Sequence, residues 1–448
     1  MKRTLSLRND ISTRLEKIAQ RSRQAPLMVW TTVAHHIDVE WLGEAYRRTR
    51  KDGAVGVDGV TMQQYERKLL ENLEDLLNRF KTGLYRAPAV RRVHIPKDGT
   101  CGQSRPIGIP TLEDKILQRA VLMVLEAIYE QDFLDCSYGF RPGRGAHRAL
   151  QALWKELMGI GGGWVIDLDI QSFFDTVSHE HLRCFLDRRV RDGVIRRVIG
   201  KWLKAGVMED GAVWYPEEGT PQGGVISPLL SNLYLHEVLD RWFEHEVKPR
   251  LKGRAYLVRY ADDAVLGFAC EEDAKRVLAV LGKRFARYGL TLHPQKTRLV
   301  EFRGPGGDVA SQAQGAGRCF DMLGFTHFWA RSRKGHWIVK RKTAKSRLRR
   351  AVSRMVRWCR EHRHAPVREQ HAAINRKLRG HYAYYGVTGN ARALQRFLRQ
   401  TERAWRKWLS RRNQRSHRAW PSFQQFLRYY PLLPPRVVHS IYPCAVKP

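Results

Sequence analysis

Apolar residues recur along this chain at two periods, and the switching between them sets the expected elements. Leu69, Leu70, Leu73, Leu76, Leu77 and Phe80 repeat every three or four positions and predict a helix with one apolar stripe. Ile116, Ala120, Val124 and Ile128 do the same for a helix opening near Leu112. Between these two segments, AVRRVHIP and SRPIGIP read as short strands around a glycine-containing connection. Further on, Ile166, Leu168 and Ile170 alternate with Asp167 and Asp169, so a strand is expected whose two acids leave the same face. SHEHLRCFLDRRV resumes the helical period with Ser178 suited to the N-cap. GTPQGGVISPLLSNLYLHEVLD reads as a glycine-rich loop running into a helix, with Ser227 as N-cap and Pro228 in the first helical position.

The stretch LVRYADDAVLGFA sets Asp262 and Asp263 between two apolar runs, the pattern of a hairpin with both acids at its bend. Residues 1 to about 60 read as helix and end in the glycine-broken turn KDGAVGVDGVT. RGPGGDVASQAQGAG, residues 303–317, reads as a flexible surface loop. After Lys340 only helical periods remain. Leu348, Val352, Met355 and Cys359 share one face there, and Leu394, Phe397, Leu398, Thr401, Trp405 and Trp408 share another, with arginines opposite.

A chain of 448 residues exceeds what one core usually serves, so two or three cooperating domains are expected. Its charge narrows the partners: 80 Lys and Arg against 44 Asp and Glu leave +36, which calls for a polyanion, nucleic acid first. From Arg341 to Pro448 there are 27 basic and three acidic residues, a net of +24, so the helical last quarter is the most nucleic-acid-facing part. The seven cysteines include no CxxC pair, which argues against a zinc site or a disulfide framework. Cys359 with His362 and His364 comes nearest to a metal cluster, and in so basic a helix a structural or RNA-facing role is expected instead. The basic N-terminus lacks an apolar secretory core and no run of eighteen apolar residues occurs, so a cytoplasmic protein with no membrane partner is expected.

Two neighbouring carboxylates in a poorly solvated place repel, and one would be driven to protonate unless a cation offsets the charge. Hard oxygen donors of this kind suit Mg²⁺, which takes remaining ligands from water and substrate phosphates. A third carboxylate is at hand in Asp169 or Asp167. Three carboxylates from neighbouring strands can hold two Mg²⁺ ions roughly 3.5–4 Å apart, the arrangement for nucleotidyl transfer to a primer 3′-hydroxyl.

The ordered series RPIGIP (105–110), CSYGFRPGRGAH (136–147), DIQSFFD (169–175), GTPQGGVISPLLSN (219–232), YADD (260–263) and LHPQKT (292–297), continued by MLGFTH (322–327), resembles the reverse transcriptases of bacterial group II introns. The resemblance spans about residues 50–430. It implies an α+β fold: a right-hand polymerase with fingers and palm over 61–340, an N-terminal extension over 1–60, an α-helical thumb/maturase domain over 341–430 and a short tail over 431–448. It implies that Asp169, Asp262 and Asp263 hold two Mg²⁺ ions, with the Ile170 carbonyl as a further ligand and the role of Asp167 open. Phe174 would sit against the sugar 2′ position and favour deoxynucleotides, Phe173 being core. Gln222 would line the pocket of the incoming nucleotide, Lys97 and Arg105 would grip its triphosphate, and Lys296 would assist proton transfer to pyrophosphate.

The same resemblance implies partners: dNTPs, an RNA template with a DNA primer, target DNA and a group II intron RNA. Arg347, Arg349, Arg350, Arg354, Arg376 and Arg379 are expected to contact RNA phosphates, and LRGHYAYYG (378–386) is the most recognisable segment of that domain. Tyr382, Tyr384 and Tyr385 are as readily bundle core as RNA-facing. Many relatives end in an HNH endonuclease with paired cysteines; this sequence reaches CAVKP without such pairs, so second-strand cleavage is not expected. A nucleoid-associated location follows, with a homo-oligomer left open. Two rivals stand beside the intron reading: a domesticated reverse transcriptase in phage defence or DNA repair, and a non-catalytic RNA-binding splicing factor, which would show eroded carboxylates.

Overall fold

The computed structural model describes residues 2–96, 104–209, 212–215, 218–219, 223–304, 319–332, 334–412 and 419–440, with backbone alone over 2–9. Two compact units emerge. Among these residues, one unit takes those from 2 to 149 and from Ile166 to Leu299; the other takes Leu150–Val165 and those from Val300 onward.

In the first unit β1 (Val90–Pro96) and β2 (Ser104–Ile109) pair antiparallel, with Ile95 opposite Arg105. After β3 (Trp164–Leu168) come β4 (Val207–Glu209), parallel to β1, and β5 (Ala212–Trp214), which closes the sheet order β2-β1-β4-β5. Hydrogen bonding across this sheet fixes the two predicted strands as a hairpin. The helix Leu112–Tyr129 is apolar on almost every side and buries Ile116, Ala120, Val124 and Ile128 completely, because the helix Val39–Arg48 packs on it and Trp41 Nε1 donates to the Ala120 carbonyl at 3.0 Å. The helical reading of the first 60 residues resolves into Lys2–Gln24 and Val39–Arg48 with a 3₁₀ turn, Ala34–His36, between them.

A second sheet, in the order β6-β7-β3-β8, is built from β6 (Ala255–Tyr260), β7 (Asp263–Phe268), β3 and β8 (Arg298–Glu301). Strands β6 and β7 are buried on both sides, which explains their near-continuous apolar composition. The helix Ser227–Leu235 runs beside it and loosens into two π-helical turns, His236–Asp240 and Trp242–Val247.

Two local expectations need correction. Leu70 is exposed rather than part of the apolar stripe, because it falls outside the face on which Leu73, Leu76 and Phe80 are buried. Ser227 is the first helical residue and not the N-cap. The amides of Val225 and of the N-cap Ile226 are satisfied from a distance, the Gln118 side-chain oxygen accepting from them at 2.8 and 3.4 Å.

The second unit holds the sheet β11-β10-β9, from β9 (Phe320–Met322), β10 (Phe325–Arg331) and β11 (Trp337–Thr343), followed by helices Lys345–Glu361, Val367–Tyr385, Ala391–Leu409 and Trp420–Tyr429. Met355, Cys359, Leu394, Phe397, Thr401 and Trp405 are buried as their periodicity predicted. Two buried amides fasten the bundle's corners. Gln370 Nε2 donates to the carbonyls of His362 and Ala365 while its oxygen accepts from Trp405 Nε1, and Asn390 bridges Thr343 and the Tyr385 carbonyl. The loop 303–317 lies outside the described residues from 305 onward.

Candidate active site

The hairpin of β6 and β7 closes with the tightest turn available: Tyr260 pairs with Asp263, leaving Ala261 and Asp262 as the two turn residues. Ala261 takes φ +56°, a left-handed value that costs an L-residue roughly 1–2 kcal/mol, so the surroundings must hold it there. They do so through Arg259. Its side chain is fully buried, Nη1 donates to the Ala261 carbonyl at 3.0 Å and to Asn232 Oδ1 at 3.0 Å, and the other two nitrogens reach Asp240. Asn232 in turn donates to the Gly139 carbonyl at 2.7 Å, and Gly139 packs so closely that a Cβ there would lie 2.3 Å from the Ala261 nitrogen. Backbone bonds from Tyr138 to the Arg259 carbonyl and from Arg259 to the Cys136 carbonyl add a third clamp. Parts of three motifs, CSYGFRPG, PLLSN and RYADD, thus meet at one turn. Asp262 is half-buried and Asp263 exposed.

Asp169 follows β3, the strand hydrogen-bonded beside β7, so the third acid leaves the strand next to the one that Asp263 opens. Its backbone is pinned by the LHPQKT loop. The His293 amide donates to the Asp169 carbonyl at 2.8 Å, Thr297 Oγ1 donates to the same carbonyl at 3.1 Å, and the Asp169 amide donates to Thr297 Oγ1 at 3.3 Å. Lys296 Nζ lies 3.2 and 3.3 Å from the two carboxylate oxygens of Asp169. Ile170 is buried and bridges Leu292. Asp167 accepts from Arg298 Nε at 3.2 Å, which makes it half of an ion pair across β3 and β8.

As they stand, no three acidic, histidine or cysteine side chains among the described residues are grouped to hold a metal ion. Carboxylates facing one another repel, and Asp169 offsets its charge by pairing with Lys296. The donor chemistry of Asp169, Asp262, Asp263 and a backbone carbonyl is nevertheless the all-oxygen set that Mg²⁺ takes.

Phe173 is buried and Phe174 half-exposed, with their rings edge to face at 5.4 Å. Gly219 sits against the Phe174 carbonyl, where a Cβ would come to 2.9 Å. Gly223 adopts φ +115° and lies on β2, a Cβ there falling 2.3 Å from the Gly108 carbonyl oxygen. RPIGIP, the DIQSFFD turn and the GTPQGG loop are therefore in backbone contact, and only glycine permits it. Arg105 is exposed on β2. Lys97 and Gln222 lie outside the described residues.

In the second unit Arg347, Arg349, Arg354, Arg376 and Arg379 are exposed and Arg350 half-buried, on the outer faces of Lys345–Glu361 and Val367–Tyr385. Tyr382 and Tyr384 are structural: their hydroxyls donate to the carbonyls of Leu433 and Leu323 at 3.1 and 2.9 Å. Cys359 is buried while His362 and His364 are exposed, so the three form no ligand set. The Arg259, Asp240 and Asn232 network was missed from sequence. Its one signal was an arginine inside an otherwise apolar strand, which a buried strand tolerates only with a partner.

Comparison with known proteins places these observations. Residues 95–327, just over half the chain, match the family described as reverse transcriptase (RNA-dependent DNA polymerase). Protein YkfC of Escherichia coli (strain K12) is 40% identical over 260 residues, covering 51% of this chain and 67% of that protein. The group II intron-encoded protein LtrA of Lactococcus lactis subsp. cremoris is 30% identical over 301 residues, covering 64% of this chain. This chain spans about half of LtrA, 49% of its length. Nuclear intron maturase 2, mitochondrial, of Arabidopsis thaliana is 32% identical over 176 residues, 30% of this chain and 24% of that one. No helix among the described residues is long and apolar enough to cross a membrane.

Proposed function

The chain belongs to the reverse transcriptase (RNA-dependent DNA polymerase) family, and from that premise we propose that it copies an RNA template into DNA from a primer with dNTPs and Mg²⁺, and binds a group II intron RNA to assist its splicing and mobility. The observation that supports the polymerase reading is that Asp169 follows the strand hydrogen-bonded beside β7, the strand that Asp263 opens from a turn braced by Arg259. Asp169, Asp262 and Asp263, with the Ile170 carbonyl, would hold two ions. Bound there, Mg²⁺ supplies charge neutralisation for an attacking 3′-hydroxyl and a departing pyrophosphate.

The remaining residues bind and orient. Lys97 and Arg105 would carry cationic charge to the triphosphate and Gln222 would line the nucleotide pocket, while Gly223, which only as glycine can lie against the Gly108 carbonyl, ties its loop to β2. Phe174, half-exposed beside buried Phe173, would stand against the sugar 2′ position and reject a 2′-hydroxyl by contact. Lys296, whose Nζ lies 3.2 Å from Asp169, would offset charge on the departing phosphates and pass a proton to them.

The intron reading is supported by the likeness to LtrA and by the outward arginines of the second unit, among them Arg347, Arg349, Arg350, Arg354, Arg376 and Arg379. Primer extension on an RNA template with Mg²⁺ and dNTPs tests the polymerase reading. Extension by the native chain and none by Asp262→Ala with Asp263→Ala is expected, and activity surviving both substitutions removes these residues from the chemistry. Sequencing RNA that co-purifies with the protein tests the intron reading; recovery of no intron sequence overturns it.

A further inference from the structure

The helix Gly193–Leu203 divides its faces sharply. Ile195, Val198, Ile199 and Trp202 are buried, while Gly193, Arg196, Arg197, Gly200, Lys201 and Lys204 follow each other at helical spacing on the other side. That second face forms the wall of an open pocket of about 650 Å³, completed by Arg86, Arg183 and Tyr215. Six cations line it: Arg86, Arg183, Arg196, Arg197, Lys201 and Lys204. No carboxylate of the candidate active site is among its lining residues.

Two of the six are spoken for within the fold. Arg196 pairs with Asp187 at 2.8 Å, and Lys201 Nζ donates to the carbonyls of Gly83 and Tyr85 at 2.6 Å each. The other four, Arg86, Arg183, Arg197 and Lys204, have no acidic partner among the described residues. Like charges turned into one concavity repel more than the same charges spread over a convex helix, so an external anion is the natural complement. The two glycines on the cationic face matter as well. Nothing lies within 4 Å of the Cβ position at Gly200, so a ligand can approach the helix backbone between the cations.

An aromatic residue stands at the same pocket. Tyr215 is 73% exposed and its ring rests on Gly206, where a Cβ would lie 3.0 Å from Cε1. Beside it, Arg92 stacks over the Trp214 ring at 4.3 Å. Cations tracking a backbone together with an exposed ring for stacking are the chemistry of a single-stranded nucleic-acid site, whereas an acidic peptide needs the cations alone. We propose that this pocket is a second nucleic-acid site, binding the phosphodiester backbone of single-stranded RNA with one base stacked on Tyr215. It rests on the reading that the chain handles RNA.

The test uses the full chain carrying Arg183→Gln, Arg197→Gln and Lys204→Gln, and separately Tyr215→Ala, whose exposed position spares the fold. Binding of a fluorescein-labelled unstructured 20-nucleotide RNA is followed against salt, alongside thermal unfolding and primer extension on a short annealed primer–template. Loss of three phosphate contacts should lower the log–log salt slope by about 2. Tyr215→Ala should weaken binding about tenfold with the slope unchanged. Primer extension on the short template should stay at the native level in both variants. A folded triple variant with native slope and affinity overturns the proposal, as does displacement of the RNA by a charge-matched poly-glutamate peptide from the native chain but not from the triple variant. Failure of the native chain to extend a primer would instead count against the polymerase reading, and the slopes would still report on this pocket.

Discussion

Arg259 and Asp240 form a fully buried ion pair, Nε lying 2.7 Å from Oδ1 and Nη2 2.5 Å from Oδ2, and the same guanidinium holds the carbonyl of Ala261 between the flanking Tyr260 and Asp262. Breaking the pair from one side leaves a buried charge without a partner. Asp240→Leu is therefore expected to cost about 3–5 kcal/mol in urea denaturation. The double replacement Arg259→Met with Asp240→Leu removes both charges and should recover most of that loss. It should not recover primer extension, because Ala261 and Asn232 still lack their donor. Native extension rates in a stable double variant would reduce the pair to a purely structural role.

Gly139→Ala makes the same point through sterics. The added Cβ would meet the Ala261 nitrogen at 2.3 Å and the Tyr260 carbonyl carbon at 3.0 Å, and both are backbone atoms of the aspartate turn. Relief requires the turn to move. A destabilisation of about 1–3 kcal/mol is expected, with primer extension falling much further than stability. Measuring both on one preparation separates a displaced turn from general unfolding.

Phe173 and Phe174 are neighbours with opposite expected phenotypes. Phe173→Ala empties a buried site and should cost about 3–5 kcal/mol. Phe174 is half-exposed, so Phe174→Ala should leave stability within about 1 kcal/mol of native while discrimination between dNTPs and rNTPs falls about tenfold or more. Single-nucleotide incorporation with each class of triphosphate checks it, and unchanged discrimination would return Phe174 to plain packing.

The sheet that carries the acids was legible because its signal is local. Ile166, Leu168 and Ile170 alternate with Asp167 and Asp169, and the adjacent aspartates 262 and 263 between apolar runs predict a tight bend. What periodicity could not reveal is pairing at a distance. Arg259 meets Asp240 from 19 residues away, Gln118 holds the Val225 amide 107 residues downstream, and Asp167 finds Arg298 after 131. Each such partner is a single polar residue in an apolar or loop segment, where no repeat marks it. Leu70 failed for the opposite reason: local periodicity admitted it, and only the packing of the helix Leu69–Thr82 decided which edge of the stripe faced outward.

The buried corner around Arg259 also predicts how the protein answers acid. His236 lies in it with Nδ1 3.9 Å from Asp240 Oδ2 and its ring edge to face with that of Phe133, the centroids 5.4 Å apart. Burial, reinforced by Arg259, Arg241 and Arg141 and opposed by Asp240, lowers its pKa from 6.5 to about 4. The unfolded chain therefore binds the proton more tightly than the folded one. Stability from this residue is complete above pH 6.5 and is lost as pH falls toward 4, by up to about 3 kcal/mol. Asp114 works the other way: burial raises its pKa to about 6 against the hydrogen bonds of Tyr85 and Trp202, so its contribution grows as pH falls from 6 toward 4. His236→Leu keeps the volume and removes the titration. Its difference from the native protein in urea denaturation should be small at pH 7.5 and should shift in the variant's favour by pH 4.5, with Asp114 cancelling between the two. A difference that stays constant across that range would mean that His236 takes up its proton in the folded state without cost.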